Sequence, residues 1–400
     1  MTLPTQGERR SSGPEKKISV CHLLPALPAH GAEQLLLDIV RHADRDRVCL
    51  SVCLISELGP LVGEFEALGI PVAFLPKKSR MDFSVIFRLA SFWRKNHVDL
   101  VHTHLFTADL WGRLAGLLSR VPIVSTSHTT SDPNIGRLGR WLDRILDRRN
   151  NAVICVSEAV RRYRIEEAGF DPKKLHLIEN GIDLGRFDRK ASRDEMEARL
   201  KLPSRFRWAV IVGRLVPLKG HCFLLDALAL LAADFPDLGL LIAGDGEEEA
   251  ALRAQVDALG LSSRVVFLGL RRDIPDILGI SETMVLPSSR EGLPIVLLEA
   301  MAAALPVVVT SVGGIPEVVA EEETGLFVTQ EPSSIAAALR TLLENPARSR
   351  SMGKKGRQLI EERFDIRTVA RRYESLYRTL LSKTSPGPSF GTSPGSSENS

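Results

Sequence analysis

Cysteine, aromatic side chains and long apolar runs are all scarce in this chain, and each shortage excludes something. The five cysteines, Cys21, Cys49, Cys53, Cys155 and Cys222, are odd in number, and no two stand in the C-x-x-C spacing of a metal site. Most sit inside apolar runs, which predicts buried, reduced thiols in a cytosolic protein. Aromatics make up only 6% of the chain. Alanine and leucine therefore carry the apolar content, and helices should be many. The longest apolar stretches, such as Pro294 to Val309, are interrupted by Glu299 and Pro306. None approaches the roughly 20 uninterrupted apolar residues that a membrane span requires. Met1 to Lys17 is polar and has no apolar core, so no signal peptide is expected.

A surplus of one charge is also missing. With 52 Lys and Arg against 49 Asp and Glu, the net charge is +3 and the pI about 8.6. Nucleic-acid-binding domains cluster Lys and Arg at a pI above about 9, so nucleic acid is not an expected partner. Small anions such as nucleotide phosphates are compatible with this balance. No G-x-G-x-x-G follows the first strand of either half, which argues against a dinucleotide-dependent oxidoreductase. No D-x-D pair and no His/Cys cluster with metal spacing is visible, so no metal and no other cofactor is expected.

What the chain does have is a repeated alternation of short apolar runs with longer amphipathic segments. Strands are expected at Ile18–Leu24, Val48–Leu54, Val72–Leu75, Leu100–Thr103, Ile123–Ser125, Ala152–Val156 and Leu175–Ile178. In the second half they are expected at Ala209–Val212, Leu238–Ala243, Val265–Leu268, Met284–Pro287 and Val307–Thr310. Apolar strands between helices imply parallel sheets covered on both faces. The fold class is therefore α/β, with two doubly wound, Rossmann-like domains facing a cleft. The joint is expected between Asp183 and Phe206, a charged stretch without a strand. The expected divisions are a disordered tail over 1–16, a first domain over 17–188, a second over 189–365, and a second disordered tail over 383–400.

The richest segment for chemistry runs from Leu286 to Met301, LPSSREGLPIVLLEAM, after a strand and into a helix. Pro294 suits the first helical turn, where its missing N–H costs nothing. Gly292 admits a close approach of the backbone to a ligand, and nearby N–H groups can donate to hydroxyl or phosphate oxygens. Glu291 before the helix and Glu299 inside it could hold two parts of one elongated polyol. Val212-Gly-Arg-Leu-Val-Pro-Leu-Lys-Gly220 ends the first strand of the second half. Its Arg214 and Lys219 can both reach a diphosphate at the following helix start.

With these residues in view, the chain resembles the retaining GT-B glycosyltransferases of the glycosyltransferase 4 group, whose pattern is E-x7-E. Glu291 and Glu299 fit it, and Gly292-Leu293-Pro294 and Glu299-Ala300-Met301 match its flanks. Gly244-Asp245-Gly246, Asn180-Gly181-Ile182-Asp183 and Gly313-Gly314 with Pro316 and Glu317 resemble further family turns in the same order. Together these matches span nearly all of residues 17–382. The resemblance implies the GT-B architecture, with residues 366–382 forming a last helix that crosses back to the first domain.

It also implies roles. Glu291 contacts the donor sugar near its reacting carbon, and Glu299 holds the ribose hydroxyls. Arg214 and Lys219 hold the diphosphate, and Gly213, Gly244, Gly292, Leu293 and Pro294 belong to the donor site. In His30-Gly31-Ala32-Glu33, histidine stands where the family usually has a first glycine. Gly31 is kept as a donor contact. Ser127-His128-Thr129 resembles a motif whose histidine points at the donor sugar, which makes His128 a catalytic candidate beside Glu291. His104, in His102-Thr103-His104, is a candidate contact to donor or acceptor. The partners implied are a nucleotide-diphosphate sugar and a glycan or lipid-linked acceptor, handled in the cytoplasm without metal. A nucleotide-sugar 2-epimerase or a phosphorylase would share the architecture, but neither accounts for the E-G-L-P run. A non-catalytic sugar-binding relative is disfavoured by the intact donor residues.

Gly136 to Asn150 reads as a basic amphipathic helix. Leu138, Trp141, Leu142, Ile145 and Leu146 form one stripe, and Arg137, Arg140, Arg144 and Arg148 another. Two readings stay open. The stripe packs on the sheet with the arginines in water, or the helix meets an anionic membrane at its inner face.

Overall fold

The structure is a computed structural model, and it describes residues 17–79, 81–130, 137–188 and 191–384. The tail expected at 1–16 lies outside these residues, as does that at 383–400 except for Lys383 and Thr384, which end the last helix. The first series of elements is β1 (Ile18–Leu24), α1 (Gly31–Arg41), β2 (Val48–Leu54), α2 (Val62–Ala67), β3 (Val72–Phe74), α3 (Ser84–Lys95), β4 (Leu100–His104), α4 (Leu105–Ser119), β5 (Ile123–Ser127), α5 (Arg137–Leu146), β6 (Asn150–Cys155), α6 (Glu158–Glu166) and β7 (Leu175–Leu177). The second is α7 (Arg193–Leu200), β8 (Arg207–Val212), α8 (His221–Leu231), β9 (Leu238–Ala243), α9 (Glu249–Ala258), β10 (Val265–Gly269), α10 (Ile274–Gly279), β11 (Ser281–Leu286), α11 (Ile295–Ala302), β12 (Val307–Thr310), β13 (Gly325–Val328), α12 (Pro332–Glu344), α13 (Pro346–Arg363) and α14 (Ile366–Thr384).

The strands form two parallel sheets, ordered β3-β2-β1-β4-β5-β6-β7 and β10-β9-β8-β11-β12-β13. Both orders reverse beside their first strand, which opens a ligand crevice at the carboxyl ends. β9 is buried at every position, as a strand covered on both faces must be. Each sheet has helices on both faces. In the first, α1 and α14 cover one face, with Leu36, Val40, Tyr373 and Tyr377 in one cluster. Trp93 of α3 and Trp111 of α4 pack on the other face. A further apolar cluster runs without a break from Val153 and Val160 to Leu293, Ile315 and Ile360, so the seam between the sheets is itself core.

Two expectations need correction, and one question left open receives a divided answer. Pro294 stands one place before α11, with ψ at 124°, and its carbonyl accepts from Leu297 N at 3.1 Å. It caps the helix rather than sitting in its first turn. Cys49 is exposed, because its side chain alternates outward from β2, whereas Cys21, Cys53 and Cys155 are buried. The apolar stripe of α5 divides: Leu146 is buried, but Trp141 is 58% and Ile145 41% exposed, alongside exposed Arg144 and Arg148. Gly136 and the side chains of Arg137, Leu138 and Arg140 lie outside the described residues.

Candidate active site

The loop between β11 and α11 sits in the seam, and its backbone is tied from both sides. Three consecutive carbonyls are taken. Thr130 Oγ1 donates to Glu291 O at 3.4 Å, Ser157 Oγ and Gly314 N to Gly292 O at 3.2 and 2.6 Å, and Asn180 Nδ2 to Leu293 O at 2.7 Å. A Cβ at Gly292 would collide with the carbonyl of His128, so only glycine lets the two domains approach there. Glu317 adds a second tie. Its carboxylate accepts from Glu158 N and Ala159 N, both at 2.8 Å, at the start of α6.

Side chains predicted for the site meet at this loop. Lys219 Nζ lies 2.6 Å from Glu291 Oε1, a pair whose side chains are 19% and 9% exposed. Lys219 ends a short 3₁₀ turn before α8, so the pair stands by a helix start that can add N–H donors for an anion. Arg214 is exposed and forms no ion pair among the described residues. Its charge acts on α1. The Glu33 carboxyl is pushed up to about 7 by burial, with Arg214 pulling it the other way. His30 is lowered by burial first and by Arg214 second. Gly31, the first residue of α1, faces Ile295, the first residue of α11, so two helix N-termini confront each other across the cleft. Behind Arg214, a Cβ on Gly244 would collide with the Gly213 carbonyl, so the ends of β8 and β9 close up backbone to backbone.

His128 is half-buried, and its Nε2, shielded from solvent, has no hydrogen-bond partner. Burial lowers its pKa to about 4, so at neutral pH the ring is uncharged and one ring nitrogen is available to a ligand. His104 lies behind it, with ring centroids 6.2 Å apart. His104 Nε2 pairs with His22 Nδ1 at 3.0 Å, and its ring stacks on His102 at 4.3 Å. His102 is held by Tyr377 OH and Thr126 Oγ1, each at 2.7 Å.

No histidine cluster shows in the chain's spacing, yet the fold builds one. Ligand atoms of His22, His102 and His104 lie within 4.8 Å of one another, because His22 and His102 are register partners on β1 and β4. Both nitrogens of His102, and one each of His22 and His104, are already hydrogen-bonded. The three rings therefore work as a buried hydrogen-bonded core, with burial lowering all three pKa values.

Glu299 stands apart from the Lys219–Glu291 pair. It projects from α11, 7% exposed, and its Oε1 lies 3.3 Å from Arg186 Nη1. Arg186 also lies 3.3 Å from Asp38 Oδ2 on α1. Burial pushes the Glu299 carboxyl up to about 7, with Arg186 opposing. Arg186 was not singled out in the sequence. It is one arginine in a stretch rich in charge, and only the return of α1 toward α11 reveals its two partners.

Known proteins resemble this chain along most of its length. Residues 192–359 match the family model for glycosyl transferases group 1, and residues 29–186 that for glycosyltransferase family 4. An Escherichia coli UDP-Gal:alpha-D-GlcNAc-diphosphoundecaprenol alpha-1,3-galactosyltransferase is 28% identical over 330 residues, covering 78% of this chain and 84% of that protein. The alpha-maltose-1-phosphate synthase of Mycobacterium tuberculosis is 32% identical over 305 residues, covering 70% of this chain and 79% of its own length. Among solved structures, Anabaena HepE in complex with UDP-glucose superposes with a TM-score of 0.82 at 26% identity, over 90% of this chain and 100% of that one.

Proposed function

The chain belongs to the group 1 glycosyl transferases and has their two-sheet GT-B architecture; from that premise we propose that it moves a hexose from a uridine diphosphate sugar to a hydroxyl of a glycan or lipid-linked acceptor, with retention of configuration and without metal. The observation that carries this reading is the meeting of Lys219 with Glu291 at 2.6 Å, on the loop whose Gly292 abuts the backbone of His128. A phosphate calls for the lysine, and an anomeric carbon gaining positive charge calls for the carboxylate. Side by side, the two fit the bond that joins sugar to diphosphate.

In this reading the anomeric carbon–oxygen bond to the diphosphate breaks while the acceptor oxygen bonds to the same carbon from the same face. The acceptor proton passes to the departing diphosphate oxygen. Lys219, Arg214 and the nearby helix N-termini offset the leaving charge, so no cation is needed. His128, neutral at pH 7, hydrogen-bonds a sugar hydroxyl, and Glu299 takes the ribose.

Uridine as the base is supported by the UDP-Gal donor of the Escherichia coli relative and the UDP-glucose of the Anabaena structure. A lipid-linked acceptor is supported by the diphosphoundecaprenol named for the former. Exposed Trp141 and Ile145 beside Arg144 and Arg148 suit an anionic membrane surface, and we place the enzyme at its cytoplasmic face, in cell-surface polysaccharide or glycolipid synthesis.

The test is turnover of a panel of nucleotide sugars in EDTA, with proton NMR of the first product formed. An α-linked product from an α-linked UDP-hexose, at a rate unchanged by EDTA, is expected. A β-linked product would overturn retention, and activity lost in EDTA but restored by magnesium would overturn metal independence.

A further inference from the structure

Arg186 touches buried carboxylates of both domains, with Asp38 of α1 on one side and Glu299 of α11 on the other, each at 3.3 Å. It sits in a 3₁₀ turn, Leu184–Phe187, whose entry is fixed by Asp183 Oδ1 accepting from Gly185 N at 3.1 Å. The same connecting segment carries Asn180, which holds the donor loop at Leu293 O. Arg41 grips the other oxygen of Asp38 at 2.9 Å, so the arginine is anchored from behind.

Glu299 has little else to hold it. It comes from a helix that is otherwise apolar, with Leu297, Leu298, Ala300 and Met301 buried around it. A carboxylate in such surroundings without a cation would shed its charge or turn away. The pairing takes Oε1 and leaves Oε2 for a ligand.

We propose that Arg186 is a positioning residue that aims the Glu299 carboxylate at the ribose diol of the donor, with Asp38 holding Arg186 in place. This rests on the assignment of Glu299 to the ribose made above. Discrimination between a ribose and a ribose without its hydroxyls then depends on a residue that touches neither. Removing the arginine leaves the glutamate present but unable to do its work.

The experiment compares the dissociation constants of UDP and 2′,3′-dideoxy-UDP, by calorimetry at one pH, for the wild type, Glu299→Gln, Arg186→Met and Arg186→Lys. Hydrogen bonds to a charged acceptor give the wild type at least a tenfold preference for UDP. Glu299→Gln should lower that preference to within about threefold, and Arg186→Met should do the same, with affinity for dideoxy-UDP unchanged in both. Unchanged dideoxy-UDP binding is also the check on folding, which a merely structural role for Arg186 would not pass. Arg186→Lys, with a charge but no fork, should fall between. If Glu299→Gln keeps the preference, the ribose assignment fails and this proposal with it. If Glu299→Gln loses it and Arg186→Met keeps it, the positioning role alone is overturned. Should Arg186→Met not fold, Asp38→Asn carries the same comparison, and an unchanged preference there overturns the proposal.

Discussion

Raising the pH through neutrality should tighten donor binding, and the surroundings of Glu299 set both the sign and the size. Burial pushes its carboxyl from 4.5 up to about 7, Arg186 pulls it down, and Asp38 beyond the arginine pushes it up again. With the ribose on Glu299 as proposed, its hydroxyls donate to an ionised carboxylate far better than to a neutral one, so the ionised form is the one that binds. A group titrating at about 7 is ionised in about one molecule in eleven at pH 6 and about ten in eleven at pH 8. The donor dissociation constant should therefore fall about tenfold between pH 6 and pH 8 and level off above. Binding lowers the carboxyl pKa and releases a proton, so affinity is lost as the pH falls.

Both phosphates of an intact nucleotide sugar are diesters and keep their charge across this range. His128, at about 4, and His22, at about 3, are already neutral at pH 6. Glu33, also raised to about 7 by burial, is a second group that titrates in the window. The assay is calorimetry with the nucleotide sugar over pH 6 to 8.5, for the wild type, Glu299→Gln and Glu33→Gln. Glu299→Gln should bind more weakly and with a flat profile, while Glu33→Gln keeps the wild-type slope. A flat wild-type profile, or a slope that survives in Glu299→Gln, would refute the reasoning.

Glu291→Gln should lower kcat at least tenfold and leave the donor KM within about threefold, because its carboxylate is worth more once positive charge develops at the sugar. If steady-state kinetics show the donor KM rising instead, the donor lies the other way round along α11. Gly292→Ala drives a Cβ into the His128 carbonyl and should cut kcat/KM by about a hundredfold or more, since overpacking costs about 1–3 kcal/mol and here parts the two halves of the site. Gly63→Ala, with nothing within 4 Å of the new atom, is its control, and equal kinetics in the two variants would remove the close approach from the account. Changing Arg144 and Arg148 to Glu should abolish binding to anionic liposomes at low salt in a flotation assay; no binding by the wild type would leave α5 without a membrane role.

Most of the architecture could be read in the sequence because buried parallel strands are apolar throughout and announce themselves. β1, β2, β9 and β12 lie where the apolar runs predicted. β13 was missed. It is only four residues long, opens on Gly325 and follows the acidic run Glu321-Glu322-Glu323, so too little pattern marked it. At the site, residues tied to a short motif were legible, because Glu291, Gly292 and Lys219 belong to loops that continue directly from strands. Contacts made by folding at long range were not. The His22–His102 pairing depends on which strand lies beside β1, and the Arg186 bridge depends on how α1 returns to the seam. Sequence spacing carries no information on either. The division of α5 was hidden as well, since a stripe of apolar residues does not say which of its members find a neighbour.

Because α14 covers the first sheet but follows the second in the chain, synthesis order becomes a hazard. Leu36, Val40 and the sheet beneath them form a core with Tyr373 and Tyr377, and His102 finds its Tyr377 partner only there. Until residues 366–384 leave the ribosome, the first half of the protein has an uncovered apolar face and an incompletely bonded buried histidine. A growing chain in that state is open to aggregation or to chaperone capture for as long as the second domain takes to be made. The half made first is therefore completed by a helix made after the half that follows it.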